Sequence, residues 1–354
     1  MKYLRLLLFP FSIIYGVVVM LLNWLYDAGF FKSHEFKTPV IVIGNLAIGG
    51  AGKSPMTEYL VRLFKAEYKL ATLSRGYGRK TKGYRLANPA DTAETIGDEP
   101  AQFHQKFPDV TVAVCEDRVH GIQQLIPQHN LIILDDAYQH RAVKPGLSIL
   151  LFDYNSINGP QLVLPAGSLR EPFDGRWRAD IIIITKCPEN LHKTEQEKVT
   201  GIIDQLPYQQ LYFTAINYQP LRDISGISVD MQIDHDTTIF LLTGIANPQP
   251  LLQHLQKHTG SIIHHNYPDH HPFTLKNITK LADDFNACAS QKKLIITTEK
   301  DAQRLRVDEL LPIIKKMPVL VIPIGVKFLN NSGERFDQSV KNYVRQYTEH
   351  SQLH

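Results

Sequence analysis

At 354 residues the chain exceeds the length over which one hydrophobic core keeps growing, so two domains are expected. Its composition is that of an ordinary globular protein, 44% hydrophobic and 21% charged, and a net charge of +3 is too small to point to nucleic acid as a partner. Three cysteines, Cys115, Cys187 and Cys288, are odd in number and far apart, which argues against a disulfide framework and for reduced thiols in a cytosolic setting.

The first element is apolar. From Leu6 to Tyr26, 21 residues carry no charge, enough to reach across a bilayer core. Lys2 and Arg5 precede the stretch, and Asn23, Trp24, Tyr26 and Asp27 close it. The closing residues are a poor signal-peptidase site. A spanning helix with its basic end inside would place the body outside the cytoplasm, away from any nucleoside triphosphate. The preferred expectation is a segment, residues 1–33, lying in or dipping into the cytoplasmic leaflet, bent into a shallow hairpin at Pro10 and Gly16, with Tyr and Trp at headgroup depth. A helix packed against the protein's own core is the competing reading.

Beyond a polar joint near Lys32–Lys37, apolar runs alternate with segments of helical length. Strands are expected at Val40–Gly44, Leu70–Leu73, Val110–Cys115, Leu131–Leu134, Leu147–Phe152 and Ile181–Thr185. These runs are β-branched and do not alternate with polar residues, as parallel strands covered on both faces require. They predict a doubly wound, mostly parallel α/β domain over residues 34–210. A second series, Gln210–Ala215, Thr238–Thr243, Leu294–Thr298 and Val319–Ile324, predicts a smaller C-terminal α/β lobe over residues 211–354, with helices at Pro248–His258 and Leu275–Ala289. Arg75–Arg85, with Gly76, Gly78 and Gly83, reads as a loop.

The first strand runs into Gly44-Asn-Leu-Ala-Ile-Gly49-Gly50-Ala51-Gly52-Lys53-Ser54-Pro55. A strand, then glycines, then Lys-Ser opening a helix is how backbone N–H groups are made to converge on a polyphosphate. Gly49, Gly50, Ala51 and Gly52 would cradle the phosphates, Lys53 would reach the β- and γ-phosphates, and the Ser54 hydroxyl would ligate Mg²⁺. Ala47 stands where the strict pattern has its first glycine, so this is a variant P-loop.

Leu131-Ile-Ile-Leu-Asp135-Asp136 has the shape of a Walker B strand, its acids emerging at the carboxyl edge where a carboxylate can hold Mg²⁺. Gly97-Asp98-Glu99-Pro100 puts two more acids on a turn before a helix. Asp98 there is either a helix cap or a general base for an attacking hydroxyl. Arg75, Arg79 and Arg118 follow strands, where guanidinium forks suit phosphates. Leu164–Pro172 is expected to be an ordered loop near the same edge. His264–His271 carries four histidines without paired cysteines or helical i, i+4 spacing, so a polar loop with one functional His is preferred to a zinc site. Thr297-Thr-Glu-Lys-Asp301 could simply cap a helix.

Taken in order, these blocks resemble the tetraacyldisaccharide 4′-kinases, the lipid A 4′-kinases of Gram-negative bacteria. The family pattern is Val-Gly-Asn-Leu…Gly-Gly-x-Gly-Lys-Thr/Ser-Pro, Ser-Arg-Gly-Tyr-Gly, Gly-Asp-Glu-Pro, Asp-Asp-x-x-Gln-His, Leu-Pro-x-Gly-x-Leu-Arg-Glu-Pro, Pro-Asp-His and Thr-Glu-Lys-Asp. All seven blocks occur between Gly44 and Asp301, with Ile43 for the first Val. Ala47 is typical of the family, Ser54 keeps the hydroxyl, and Ala137 and Tyr138 depart where Gly-Phe is frequent.

The resemblance implies γ-phosphoryl transfer from ATP to the 4′-hydroxyl of a tetraacyl glucosamine disaccharide 1-phosphate, at the cytoplasmic face of the inner membrane. It implies Asp98 as base with His270 as its partner, Asp135 and Asp136 serving Mg²⁺ and catalysis, and Arg118 near the transferring phosphate. The partners it implies are the lipid A precursor and the inner-membrane surface, with no nucleic acid and no protein partner.

Two other classes compete, each lacking particular residues, and acceptor-free hydrolysis stimulated by a protein partner would favour either over the kinase. A deviant-Walker switch ATPase would carry a signature Lys where Ile48 stands, and a metal-delivery GTPase would need a paired-Cys motif and a base-reading Asn-Lys-x-Asp that Thr185-Lys186-Cys187-Pro188 does not supply.

Overall fold

The computed structural model describes residues 7–352. Lys2, Arg5 and Leu6, which the sequence set at the head of the apolar segment, lie outside the described residues.

The strands are β1 (Val40–Asn45), β2 (Leu70–Ser74), β3 (Arg85–Leu86), β4 (Thr111–Val114), β5 (Leu131–Asp135), β6 (Leu147–Asp153), β7 (Ile181–Thr185), β8 (Gln210–Tyr218), β9 (Arg222–Asp223), β10 (Thr238–Thr243), β11 (Ser261–Asn266), β12 (Lys293–Thr298), β13 (Val319–Ile322) and β14 (Ile324–Phe328). Nine of them form one sheet in the order β14-β8-β7-β6-β1-β5-β2-β4-β3, parallel except for the two edge strands. Successive residues of β1 feed opposite faces. Val40 and Val42 join one apolar cluster, and Ile41 and Ile43 join the other, so every residue of the strand is buried. That two-sided burial is why the sequence shows unbroken apolar runs rather than alternation. Strand β1 lies between β5 and β6, and its carboxyl end opens into the Gly-rich loop at the middle of the sheet.

The second sheet has the order β11-β10-β12-β13-β9 and is parallel except for β9. Strand β8 is not part of it. Although Gln210–Ala215 was expected to head the second series, β8 pairs in parallel with β7. The run Val319–Ile324 also divides. Pro323, without an N–H to donate, separates β13 in the small sheet from β14, which returns to pair antiparallel with β8. The helix Gly333–Gln352 then sets Phe336, Val340 and Val344, four residues apart, into the large lobe's core. The chain therefore leaves the large sheet after β8 and re-enters it at β14, so the sheets do not divide at residue 210.

The apolar leader is one helix, Phe9–Asp27. Pro10 occupies its first turn, where a missing N–H costs nothing, so it starts the helix instead of bending it. Gly16 is an interior residue packed on Val163, and the described residues of the segment form no hairpin. Only Ser12 and Gly16 are buried, so the helix is not a core element. Ser12 Oγ accepts from the Ala166 amide at 2.8 Å and the Tyr15 hydroxyl donates to the Arg170 carbonyl at 2.7 Å, seating one edge of the helix on Leu164–Pro172. Phe11, Ile13, Ile14, Val17, Val18, Leu21 and Trp24 are exposed.

Candidate active site

The Gly-rich loop, the end of β5 and the start of the helix Asp98–Lys106 meet at the carboxyl edge of the large sheet. Gly49 has φ +117° and Gly52 φ +83°, conformations that a side chain would strain, and they turn the chain from β1 into the helix Lys53–Phe64. The Thr185 hydroxyl donates to the Ala51 carbonyl at 2.9 Å from the end of β7. The Ile48 amide donates to the Ser168 carbonyl at 2.7 Å and the Arg170 amide to that of Leu46 at 2.6 Å, so the loop Leu164–Pro172 is ordered and braces the P-loop. The same loop seats the apolar helix.

Lys53 Nζ lies 3.0 Å from Asn45 Oδ1 and 3.5 Å from Asp136 Oδ1. Asp136 also receives Arg170 Nη1 at 3.0 Å and adopts φ +51°, a strained backbone of the kind that collects at functional sites. Asp135 is buried, accepts from the Thr57 hydroxyl at 3.2 Å, and has its pKa pushed up to about 7 by burial and by the nearby charge of Glu99. Ser54 Oγ donates to Glu99 Oε1 at 2.9 Å, and Lys300 Nζ reaches the same oxygen at 2.6 Å. Burial raises the Glu99 carboxyl, but Lys300, Ser54 and Lys53 together outweigh it and hold it below the usual range.

Asp98 is the first residue of its helix, and Gly97, with φ +97°, is the cap residue. The Asp98 carboxylate caps nothing. Its Oδ2 faces His270 Nδ1 at 3.1 Å, and Arg304 Nε and Nη2 donate to it at 3.2 and 3.0 Å. His270 and Arg304 both belong to the small lobe, so the structure joins residues 98 and 270 across the two lobes. Arg118 is buried at the head of the helix Arg118–Leu125. Its Nη1 donates to the Glu116 carbonyl at 2.9 Å, Nη2 lies 3.5 Å from the Asp136 carbonyl, and burial and Arg75 pull its pKa down.

His264 and His265 lie on β11, not in a loop; His264 Nε2 pairs with the Thr243 hydroxyl at 2.8 Å. The loop proper starts at Tyr267 and carries His270 at φ +58°. Thr298 caps its helix, its hydroxyl accepting from the Asp301 amide at 3.2 Å, as the cap reading of Thr-Glu-Lys-Asp required. Cys115, Cys187 and Cys288 are free. Sequence reasoning gave no site role to Asn45, Glu99, Thr185, Lys300 or Arg304. Glu99 and Lys300 each stood inside a quoted block, but nothing in one sequence says that two blocks 200 residues apart meet.

A Gly-rich loop with its lysine and hydroxyl at the centre of a parallel sheet, facing large-lobe carboxylates that His270, Lys300 and Arg304 of the small lobe meet, defines a P-loop phosphotransferase. A sequence model of the family described as tetraacyldisaccharide-1-P 4′-kinase matches residues 4–345. The tetraacyldisaccharide 4′-kinase of Bacteroides thetaiotaomicron is 44% identical over 97% of this chain and 94% of its own length. That of Flavobacterium psychrophilum is 41% identical over 98% and 99%. The crystal structure of LpxK from Aquifex aeolicus in complex with ATP superposes with a TM-score of 0.74 at 26% identity, covering 96% of this chain and 99% of that one. The chain belongs to the tetraacyldisaccharide 4′-kinase family and is an ATP-dependent kinase of lipid A biosynthesis.

Proposed function

We propose that Asp98 takes the proton of the acceptor's 4′-hydroxyl as that oxygen attacks the γ-phosphorus of ATP. The bond from phosphorus to the β,γ-bridging oxygen breaks, and ADP leaves with the electron pair. A sugar hydroxyl has a pKa far above neutral, so attack needs a base already in place. The observation that carries this reading is the meeting of Asp98 and His270, from different lobes, at the edge where Lys53 and Ser54 open the P-loop helix. All three contacts to Asp98 fall on Oδ2, which leaves Oδ1 for the hydroxyl. The amides of residues 49–54 hold the triphosphate, Lys53 leaves Asp136 for the phosphates, and Arg118 balances charge beside Asp136.

The donor set fits Mg²⁺. Asp135 is a buried carboxylate with its proton affinity raised beside a second acid, and Ser54 supplies a hydroxyl oxygen nearby. Ser54 and Asp135 would hold the ion, whereas Asp136 is already balanced by Arg170 and Lys53. The ion would neutralise charge on the phosphate oxygens.

The exposed side of the helix Phe9–Asp27 rests in the cytoplasmic leaflet of the inner membrane, where the acceptor's acyl chains remain. Residues 7–33 then form the membrane element, and the nucleotide and small lobes close over the headgroup. The test is transfer of label from [γ-³²P]ATP to the tetraacyl disaccharide 1-phosphate in mixed micelles. Asp98→Asn should keep ATP affinity and lose most turnover. Near-normal turnover in Asp98→Asn would remove its role as base.

A further inference from the structure

The catalytic pair has a third member that no sequence block singled out. Arg304, on the helix Glu299–Leu305, has a side chain only 7% exposed. Its Nε and Nη2 both donate to Asp98 Oδ2, its Nη2 lies 3.1 Å from His270 Nδ1, and its Nη1 donates to the Gly244 carbonyl and to Asp301 Oδ1, each at 3.0 Å. Asp301 is fully buried and pinned by Thr298. The His270 amide is also tied to Gly244, donating to its carbonyl at 3.1 Å.

We propose that Arg304 is the positioning residue that fixes Asp98 for attack, holding its Oδ2 so that Oδ1 alone is presented to the acceptor hydroxyl. This rests on the reading of Asp98 as base. His270 Nδ1 lies between the two charged groups. That atom carries either a proton or a lone pair, and it faces both a carboxylate and a guanidinium. Arginine only donates. In the Nε2–H tautomer Nδ1 accepts from Arg304 and no hydrogen bond runs from His270 to Asp98, whereas in the Nδ1–H tautomer Nδ1 donates to Asp98 Oδ2. In either tautomer the guanidinium fork holds Asp98 Oδ2 through Nε and Nη2.

The fork is in turn anchored in the small lobe through Asp301 and the Gly244 carbonyl, so the position of Asp98 depends on how the lobes meet. Three further contacts of the same helix act along the seam. Lys300 reaches Glu99, Glu299 reaches Lys106, and Gln303 donates to Gln105 at 2.8 Å. A lysine at 304 would keep the charge but not the planar fork that grips one oxygen twice while holding Asp301.

The test is a double-mutant cycle read by kcat in the labelled-lipid assay, with the KM for ATP measured alongside. Arg304→Met should lower kcat about 100-fold, the loss that a displaced catalytic group brings, and leave the KM for ATP within about twofold. Arg304→Lys should recover about a tenth of the lost rate. In the Asp98→Asn background Arg304→Met should cost less than about threefold, because there is no base left to position. Arg304→Met/Asp301→Asn removes the carboxylate that the single change strands in the core, and it should show the same kcat loss with a wild-type unfolding midpoint. A folded Arg304→Met or double variant with wild-type kcat would overturn the proposal. So would a full 100-fold loss repeated on top of Asp98→Asn. Asp98→Asn at wild-type kcat defeats the base assignment itself, whereas an inactive Asp98→Asn beside an active Arg304→Met defeats only the positioning role.

Discussion

Replacing Lys106 by Met should be among the most damaging single changes outside the nucleotide loop. Its ammonium sits 2.6 Å from Glu58 Oε2 and 2.6 Å from Glu299 Oε1, and the three side chains are 9%, 8% and 15% exposed. Each belongs to a different element: Glu58 to the P-loop helix, Lys106 to the helix that begins at Asp98, and Glu299 to the small-lobe helix that carries Arg304. Methionine keeps the volume and removes the charge, leaving two buried carboxylates facing each other. Breaking a buried pair in this way costs about 3–5 kcal/mol. At a urea m-value of about 3 kcal/mol/M, the midpoint should fall by about 1–1.7 M.

Lys144→Met is the control. Its pair with Glu35 is 63% and 59% exposed and should cost less than about 1 kcal/mol. The penalty should also depend on pH with a definite sign. Burial first, then Glu299, outweigh Lys106 and push the Glu58 carboxyl up to about 7, above its free value of 4.5. A carboxyl raised on folding contributes stability that is complete below about pH 4.5 and lost as pH rises through about 7. Without Lys106 the carboxyl is raised further, so the Lys106→Met deficit should be largest near pH 8 and shrink near pH 5. Urea titrations of both variants at pH 5 and 8, followed by far-UV circular dichroism, read all of this. A Lys106→Met midpoint no lower than that of Lys144→Met, or a deficit that does not change with pH, would refute the reasoning.

Lys53→Met should weaken ATP binding by at least about tenfold, the scale of losing one charged phosphate contact; unchanged affinity by calorimetry would show that the loop does not hold the triphosphate. Gly97→Ala should lower kcat without changing the KM for ATP, because φ +97° disfavours any side chain and a Cβ would lie 2.9 Å from the Tyr77 carbonyl, displacing the start of the Asp98 helix; an unchanged kcat would count against that strain. Replacing Ile14, Val18 and Leu21 together by Glu should abolish flotation with anionic vesicles while leaving ATP affinity unaltered, since all three are exposed and none touches the catalytic edge; undiminished flotation would place the membrane contact elsewhere.

The large sheet was legible because strands buried on both faces carry their own signature, and β1, β2, β5, β6 and β7 begin and end within a residue or so of their apolar runs. Sheet membership was not. An apolar run such as Leu211–Phe213 looks alike in either sheet, and only Pro323 hinted that the run ending at Ile324 is two strands. At the candidate site, Lys53, Ser54, Asp135 and Asp136 were legible as candidates because local spacing sets them at the start of one helix and the end of one strand. Asp98 stayed open between cap and base, since the choice depends on His270 and Arg304, which come from residues far along the chain. Pro10 and Gly16 misled for a simpler reason. A proline in a first turn and a glycine against a docked loop both belong inside an intact helix.

The most direct measurement is a structure of the protein with a non-hydrolysable ATP analogue and Mg²⁺. The triphosphate should be wrapped by the amides of residues 49–54, with Lys53 moved from Asp136 onto it and the γ-phosphorus facing Asp98 Oδ1 with room for one hydroxyl oxygen between them. A nucleotide bound away from that loop, or a γ-phosphate separated from Asp98 by another element of the chain, would contradict it.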